Sequence, residues 1–317
     1  MARRSPALMT QTAAVIALLV ALVVSAPTFG MPRVDLVILH TNDMHARIEP
    51  NVDNEILGMP YIAALVRHYR AMYPHVLVID AGDTLHGRPI SDRLHGESTV
   101  KAMNLAGYDF MVPGNHDFNF GYDRLLELQE MMDFTLLGAN VYKDGERLFR
   151  DYAVVEAAGK KIGIFGLATP DTYTTTHPDN IRGIEFRDMA ETAAYYVDFL
   201  RNQLGVDMVI AVGHVGYGRN YSSTDIAAAV PGIDLFIDGH SHTLLPEGEV
   251  HHGTLFVQAH EHAHYVGKVL VDLSGDVPVM EASLIPASEG FQLEPVAEIQ
   301  QLLEEARAEV MRRLLGR

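Results

Sequence analysis

An α/β domain is what this sequence predicts, and two observations predict it. Apolar runs of strand length alternate along the chain with stretches whose apolar residues recur at helical spacing. Short polar clusters follow the strand-like runs directly, at the carboxyl ends where sheets of this kind gather functional groups.

Val34 to Leu39 is β-rich, ends at His40 and leads into Asn42-Asp43-Met44-His45. Met59 to Met72 has helical spacing and is stopped by Pro74. His75-Val76-Leu77-Val78-Ile79 suits a strand covered on both faces, and it opens into Asp80-Ala81-Gly82-Asp83. A helix from Ser98 to Ala106 precedes the short strand Phe110-Met111-Val112, which enters Gly114-Asn115-His116-Asp117; Gly121 then opens another helical stretch. Val154 to Phe165, broken at Gly159-Lys160, reads as a hairpin. Asp188 to Leu204 is an amphipathic helix. Met208 to Val212 is a buried strand leading to Gly213-His214, and Ile233 to Ile237 is another, leading to Gly239-His240-Ser241-His242. Leu255 to Gln258 and Tyr265 to Leu273 are further strands, with extra hairpins expected towards the C-terminus. No repeat period and no low-complexity linker interrupts this order.

The chain has 317 residues and a formal net charge of −17. That balance disfavours nucleic acid as a partner, and it repels phosphate esters at long range, so bound cations would have to dominate locally. Arg3 and Arg4 precede an apolar run from Ala13 to Val24, then small residues and Pro27. This is the layout of a secretory signal over residues 1–30. It implies a periplasmic or extracellular protein with no stable membrane insertion once the signal is removed. There is no cysteine, which excludes disulfides, thiolate metal ligands and a cysteine nucleophile.

Each of the five polar clusters supplies a carboxylate, an imidazole or an amide oxygen. One such cluster is an ordinary loop; five in series call for a shared site, and their donors can surround two divalent metal ions. A mixed carboxylate and imidazole set suits zinc, manganese or iron, whereas calcium cages use oxygen alone. In an extended loop Asp43 and His45 point to one side, and His240 and His242 alternate towards one cavity. Asp83 has two oxygens with which to bridge both ions.

Taken in order, D-x-H, G-D, G-N-H-D, G-H and G-H-x-H resemble the motif series of calcineurin-like metallophosphoesterases. The fuller segments Leu39-His40-Thr41-Asn42-Asp43-Met44-His45, Ile79-Asp80-Ala81-Gly82-Asp83, Gly114-Asn115-His116-Asp117-Phe118, Pro231-Gly232-Ile233-Asp234 and Gly239-His240-Ser241-His242-Thr243 look like one branch. That branch is the N-terminal catalytic domain of secreted 5′-nucleotidases and related UDP-sugar hydrolases. The resemblance runs from Val34 to about Leu284. It implies a four-layer α/β/β/α sandwich of two mixed sheets flanked by helices, with a catalytic domain over residues 31–285 and a connector helix over 286–317. It implies one metal held by Asp43, His45, Asp83 and His242, and a second by Asp83, Asn115, His214 and His240. His116 matches the catalytic histidine beside the scissile phosphate, where Asn115 also meets substrate. The activity implied is hydrolysis of nucleotides or similar small phosphate esters by in-line attack of a metal-bridging hydroxide. Cyclic phosphodiesters and sulfur esters are alternative substrates on the same fold, and a catalytically weakened binding subunit is a third reading.

Three departures stand out. Ala46 replaces a glycine common among relatives. Asn119 stands three residues after His116, where many relatives carry an acid that polarises the imidazole; it can orient the ring, and Asp117 or another carboxylate would have to supply the charge. The second, substrate-selecting domain of the secreted enzymes does not follow Arg317, so such a domain is expected on a separate polypeptide or not at all. Outside the series, His40 reads as a packed strand-end residue, His68, His75, His95 and His177 as surface or loop residues, and His86 as a loop residue near Asp83. His260-Glu261-His262-Ala263-His264 reads either as an extra metal site on one strand face or as a loop beside the main site.

Overall fold

A computed structural model of the chain describes residues 33–218 and 221–316. The secretory signal expected over residues 1–30 lies outside them.

Among the described residues, fifteen strands run in chain order as β1 (Leu36–Thr41), β2 (Val76–Asp80), β3 (Phe110–Met111), β4 (Thr135–Leu136), β5 (Val141–Lys143), β6 (Glu146–Arg147), β7 (Tyr152–Ala157), β8 (Lys160–Ala168), β9 (Ile184–Phe186), β10 (Met208–His214), β11 (Leu235–Asp238), β12 (Glu249–His251), β13 (Thr254–Val257), β14 (Tyr265–Asp272) and β15 (Val279–Pro286). Two six-stranded mixed sheets result, ordered β15-β14-β1-β2-β3-β4 and β12-β13-β11-β10-β8-β7. In the first, β1 to β4 are mutually parallel and β14 is antiparallel to both its neighbours, β1 and β15; in the second, β8, β10, β11 and β13 are parallel and the two edges antiparallel.

The period-2 alternation of each strand assigns its side chains to two different cores. Along β1, Leu36 and Ile38 face the second sheet, where they meet Ile164, Ile210 and Ile237. Val37 and Leu39 face outwards against the helices Gly58–Met72, Glu97–Ala106 and Tyr122–Gln129. Along β10, Met208, Ile210 and Val212 join the inter-sheet core, while Val209 and Ala211 pack under the helices Met189–Asp198 and Ser223–Ala229. The molecule is therefore layered helix, sheet, sheet, helix, as the motif resemblance implies. The strand covered on both faces needs apolar residues throughout, which is why these runs read as continuous.

The predicted hairpin is β7 and β8, turned through Ala158 and Gly159, both at positive φ. The stretch from Asp188 to Leu204 is α-helical only to Asp198 and then widens into a π-turn through Gln203. The small sheet β6-β5-β9 was not expected from the sequence; its strands have two or three residues each, too short to show alternation. The C-terminal helix Ala297–Leu314 lays Ile299, Leu303 and Ala306 into the outer core of the first sheet and also buries Val310.

Candidate metal centre

Because β1, β2 and β3 are parallel neighbours, their carboxyl ends lie side by side and deliver Asp43, Asp83 and Asn115 to one edge of the first sheet. β10 and β11, parallel neighbours in the second sheet, deliver His214, His240 and His242 to the facing edge. Backbone bonds zip the first two loops together: the N–H groups of Asp43, His45 and Ala46 donate to the carbonyls of Gly82, Asp83 and Thr84. The N–H of His240 donates to Asp43 Oδ2 at 2.9 Å and ties the second sheet to the first.

Neither D-x-H nor H-x-H is an extended segment. Asp43, His45, Ala46, Asp83, His240 and His242 all have φ between 46° and 72°, a region that non-glycine residues adopt at a cost. Ala46, at φ 55°, occupies a conformation in which glycine would be unstrained. Ligand atoms of Asp43, His45 and His242 form one group within 4.8 Å, and those of Asp83, His214 and His240 form another. Asp83 also groups with His45 and His116, so it lies between the two.

Four of these groups are almost wholly buried: Asp43, Asp83, Asn115 and His214 expose 2% or less. His214 Nδ1 lies 2.7 Å from the Ala81 carbonyl. A carbonyl only accepts, so Nδ1 carries a proton and Nε2 is directed at Asp83 Oδ2, at 3.2 Å, and at Asn115 Oδ1, at 3.2 Å. His242 Nδ1 lies 2.5 Å from Glu261 Oε2 as an ion pair, and its Nε2 lies 3.2 Å from Asp43 Oδ1 and 3.4 Å from His45 Nε2. His240 donates from Nε2 to Asp171 Oδ2 at 3.1 Å and leaves Nδ1 for the cluster. His214 and His240 are thus fixed by an acceptor on the far nitrogen and His242 by its ion pair with Glu261, and each near nitrogen faces other electron-pair donors. Lone pairs gathered around buried carboxylates repel one another unless a cation lies among them. Without one, the site recruits protons. Burial alone would lower His214, but Asp83 and Asp43 outweigh it and push it up to about 10. The donor set therefore fits divalent metals.

His116 donates its backbone N–H to Asp83 Oδ1 at 2.7 Å and sets its ring edge-on to His45, with centroids 5.3 Å apart. Asn119 Nδ2 donates to His116 Nδ1 at 2.9 Å and to His86 Nδ1 at 3.2 Å. His86 stacks on His116 with the planes 7° apart, a closer association than that of a plain loop residue. Asp117 does not supply the charge missing at Asn119. Its two oxygens accept the backbone N–H groups of Asp83, Thr84, Leu85 and Gly114, so it is a staple between loops. His40 is buried at the end of β1, and burial lowers it to about 3; His68, His95 and His177 are exposed. The segment from His260 to His264 is no strand face, since His260, His262 and Ala263 all have positive φ. It is a loop that closes on the site, with His262 N–H donating to the Asp43 carbonyl. Glu261 and Asp171, the two carboxylates that orient the H-x-H histidines, were not singled out from the sequence. Glu261 had a signal, its place inside a histidine-rich run; Asp171 had none.

The comparisons with known proteins agree with this fold. A family model described as calcineurin-like phosphoesterase matches residues 36–244. A 5′-nucleotidase of Vibrio cholerae is 33% identical over 300 residues, covering 84% of this chain and 54% of that protein. The crystal structure of a 5′-nucleotidase precursor from Thermus thermophilus superposes with a TM-score of 0.74 at 28% identity, over 87% of this chain and 59% of the other. The sulfate thiohydrolase SoxB of the same species superposes with a TM-score of 0.81 at 20% identity, over 88% and 61% respectively, a likeness of fold. The chain spans about half the length of the curated relatives it matches.

Proposed function

The chain belongs to the calcineurin-like phosphoesterase family, and on that premise we propose that it hydrolyses nucleotides or similar small phosphate esters with two divalent metal ions. One ion is assigned to Asp43, His45, Asp83 and His242 and the other to Asp83, Asn115, His214 and His240. The observation that carries the reading is the set of three histidines, His214 and His240 held by an acceptor on one nitrogen and His242 by an ion pair with Glu261, so that the other nitrogen faces buried carboxylates. Zinc, manganese and iron all suit such donors. Bound there, two cations would lower the pKa of a water and neutralise phosphate oxygens.

The remaining work falls to the chain. Asn115 fixes one wall through its amide oxygen. Asn119, donating to His116 Nδ1, holds the ring with a proton on Nε2, from which it can donate a hydrogen bond to a phosphate oxygen. For His116 to give up a proton to the leaving alkoxide, both ring nitrogens must be protonated, and the Asn119 amide must turn over to accept. A carboxylate at that position would need no such turn. Export is part of the same proposal, supported by the basic and then apolar sequence of residues 1–30; N-terminal sequencing of the mature protein checks it. Among the described residues no helix is long and apolar enough to cross a membrane.

The test is a panel of nucleoside monophosphates, cyclic nucleotides, p-nitrophenyl phosphate and a thiosulfonate ester, assayed with EDTA and with added manganese or zinc. Metal-dependent release of phosphate from the monoesters is expected. Turnover unaffected by EDTA, or confined to the cyclic or sulfur substrates, defeats this reading.

A further inference from the structure

A cleft of about 200 Å³ opens beside the loop that carries His45 and is lined by Arg47, Arg88, Arg307, Glu49 and Asn51. Three arginines against one glutamate give it a positive excess within a chain of net charge −17. The single carboxylate is already taken, because Glu49 pairs with Arg307. Among the described residues no carboxylate comes within ion-pair distance of Arg47 or Arg88. Arg47 donates to the carbonyl of His45 at 3.3 Å. Guanidinium groups gathered in a concave place, where the one carboxylate of the lining is already paired, attract an anion.

The cleft borders the metal cluster. Arg47 is two residues past His45. Arg88 follows Gly87, whose backbone packs so closely on His45 that an added Cβ would lie 2.8 Å from the His45 carbonyl oxygen. An anion held by Arg47 and Arg88 is therefore beside, not within, the group formed by Asp43, His45 and His242.

We propose that this cleft is a second anion subsite, which takes an inner phosphate while the terminal one lies at the metal cluster, so that the preferred esters carry two phosphates, as nucleoside diphosphates do. The planar fork of arginine matches phosphate oxygens in pairs, which lysine does not. The assignment of a terminal phosphate to the metal cluster rests on the phosphoesterase reading above; the anion site itself does not.

Two measurements separate them. The full chain, stripped of metal with EDTA, is titrated with inorganic pyrophosphate by calorimetry. Wild type binds; Arg47→Gln and Arg88→Gln each weaken binding by about tenfold, and Glu49→Gln, which releases Arg307, tightens it. Arg88 is exposed, so its variant keeps the fold, which circular dichroism verifies. No binding by wild type, or unchanged affinity in both arginine variants, overturns the subsite. In the manganese-loaded enzyme the same variants raise KM for ADP and leave KM for AMP within about twofold; equal effects on both substrates overturn it too. Failure to turn over either nucleotide counts against the phosphoesterase reading alone, and the pyrophosphate titration still decides the subsite.

Discussion

Glu261 places one carboxylate oxygen 2.5 Å from His242 Nδ1 and 3.4 Å from His262 Nε2. A histidine held against a carboxylate keeps one ring orientation, and its other nitrogen becomes the more basic donor. Glu261→Gln keeps the shape but removes the charge. It should weaken zinc or manganese binding by about ten- to a hundredfold, as read by competition with a chromophoric chelator; an unchanged affinity would mean that Glu261 only fills space. The residues of the five polar clusters were legible because each cluster stands at the end of an apolar run, four of the five with a glycine. Glu261 and Asp171 were not, because a residue that acts through another is placed by the fold of its loop. The same holds for Asp117. Its spacing from His116 suggested a charge near the ring, whereas its oxygens turn away to four backbone amides.

At the scale of elements, buried aspartates fasten the strand ends from which the site is built. Asp80, last in β2, accepts from the hydroxyls of Thr41 and Thr84 and from Gly82 N–H, and burial raises it to about 8. Asp238, last in β11, accepts the N–H groups of Val215, Gly216 and Gly239. Asp117 joins the loops after β2 and β3. The strand order that brings these loops together could be expected from the alternation of apolar runs and helices, but the φ values of Asp43, Asp83 and His240 could not. Those left-handed turns are forced by cross-loop hydrogen bonds and are not preferences of the residues themselves. Asp117→Ala would strand four buried amides, so a loss of at least about 3 kcal/mol is expected, or roughly 6–12 °C in Tm. Asp117→Asn, which keeps one acceptor oxygen, should fall between. Thermal melts followed by circular dichroism check both, and an alanine variant as stable as wild type would show that water satisfies those amides instead.

The two sheets meet face to face through an apolar core, and at their carboxyl edges they meet again through the donor cluster. Asp43, Asp83 and Asn115 come from one sheet and His214, His240 and His242 from the other, so an ion held between them would tie the layers together. Without ions, carboxylates that expose 2% or less are compensated by protonated imidazole, backbone amides and the Asn42 side-chain amide. Chelation should therefore loosen the whole molecule as well as stop catalysis. One site held at about a hundred times its Kd contributes about 2.7 kcal/mol, roughly 5–10 °C in Tm for a domain of this size. Scanning calorimetry with excess zinc or manganese, set against the same protein in EDTA, should show that difference. Asp83, assigned to both ions, provides the control. Asp83→Ala should melt at one temperature with or without metal, because removing the shared ligand dismantles both sites. A wild-type Tm indifferent to EDTA would mean that the strand ends are held by their aspartate staples alone and that no ion joins the sheets.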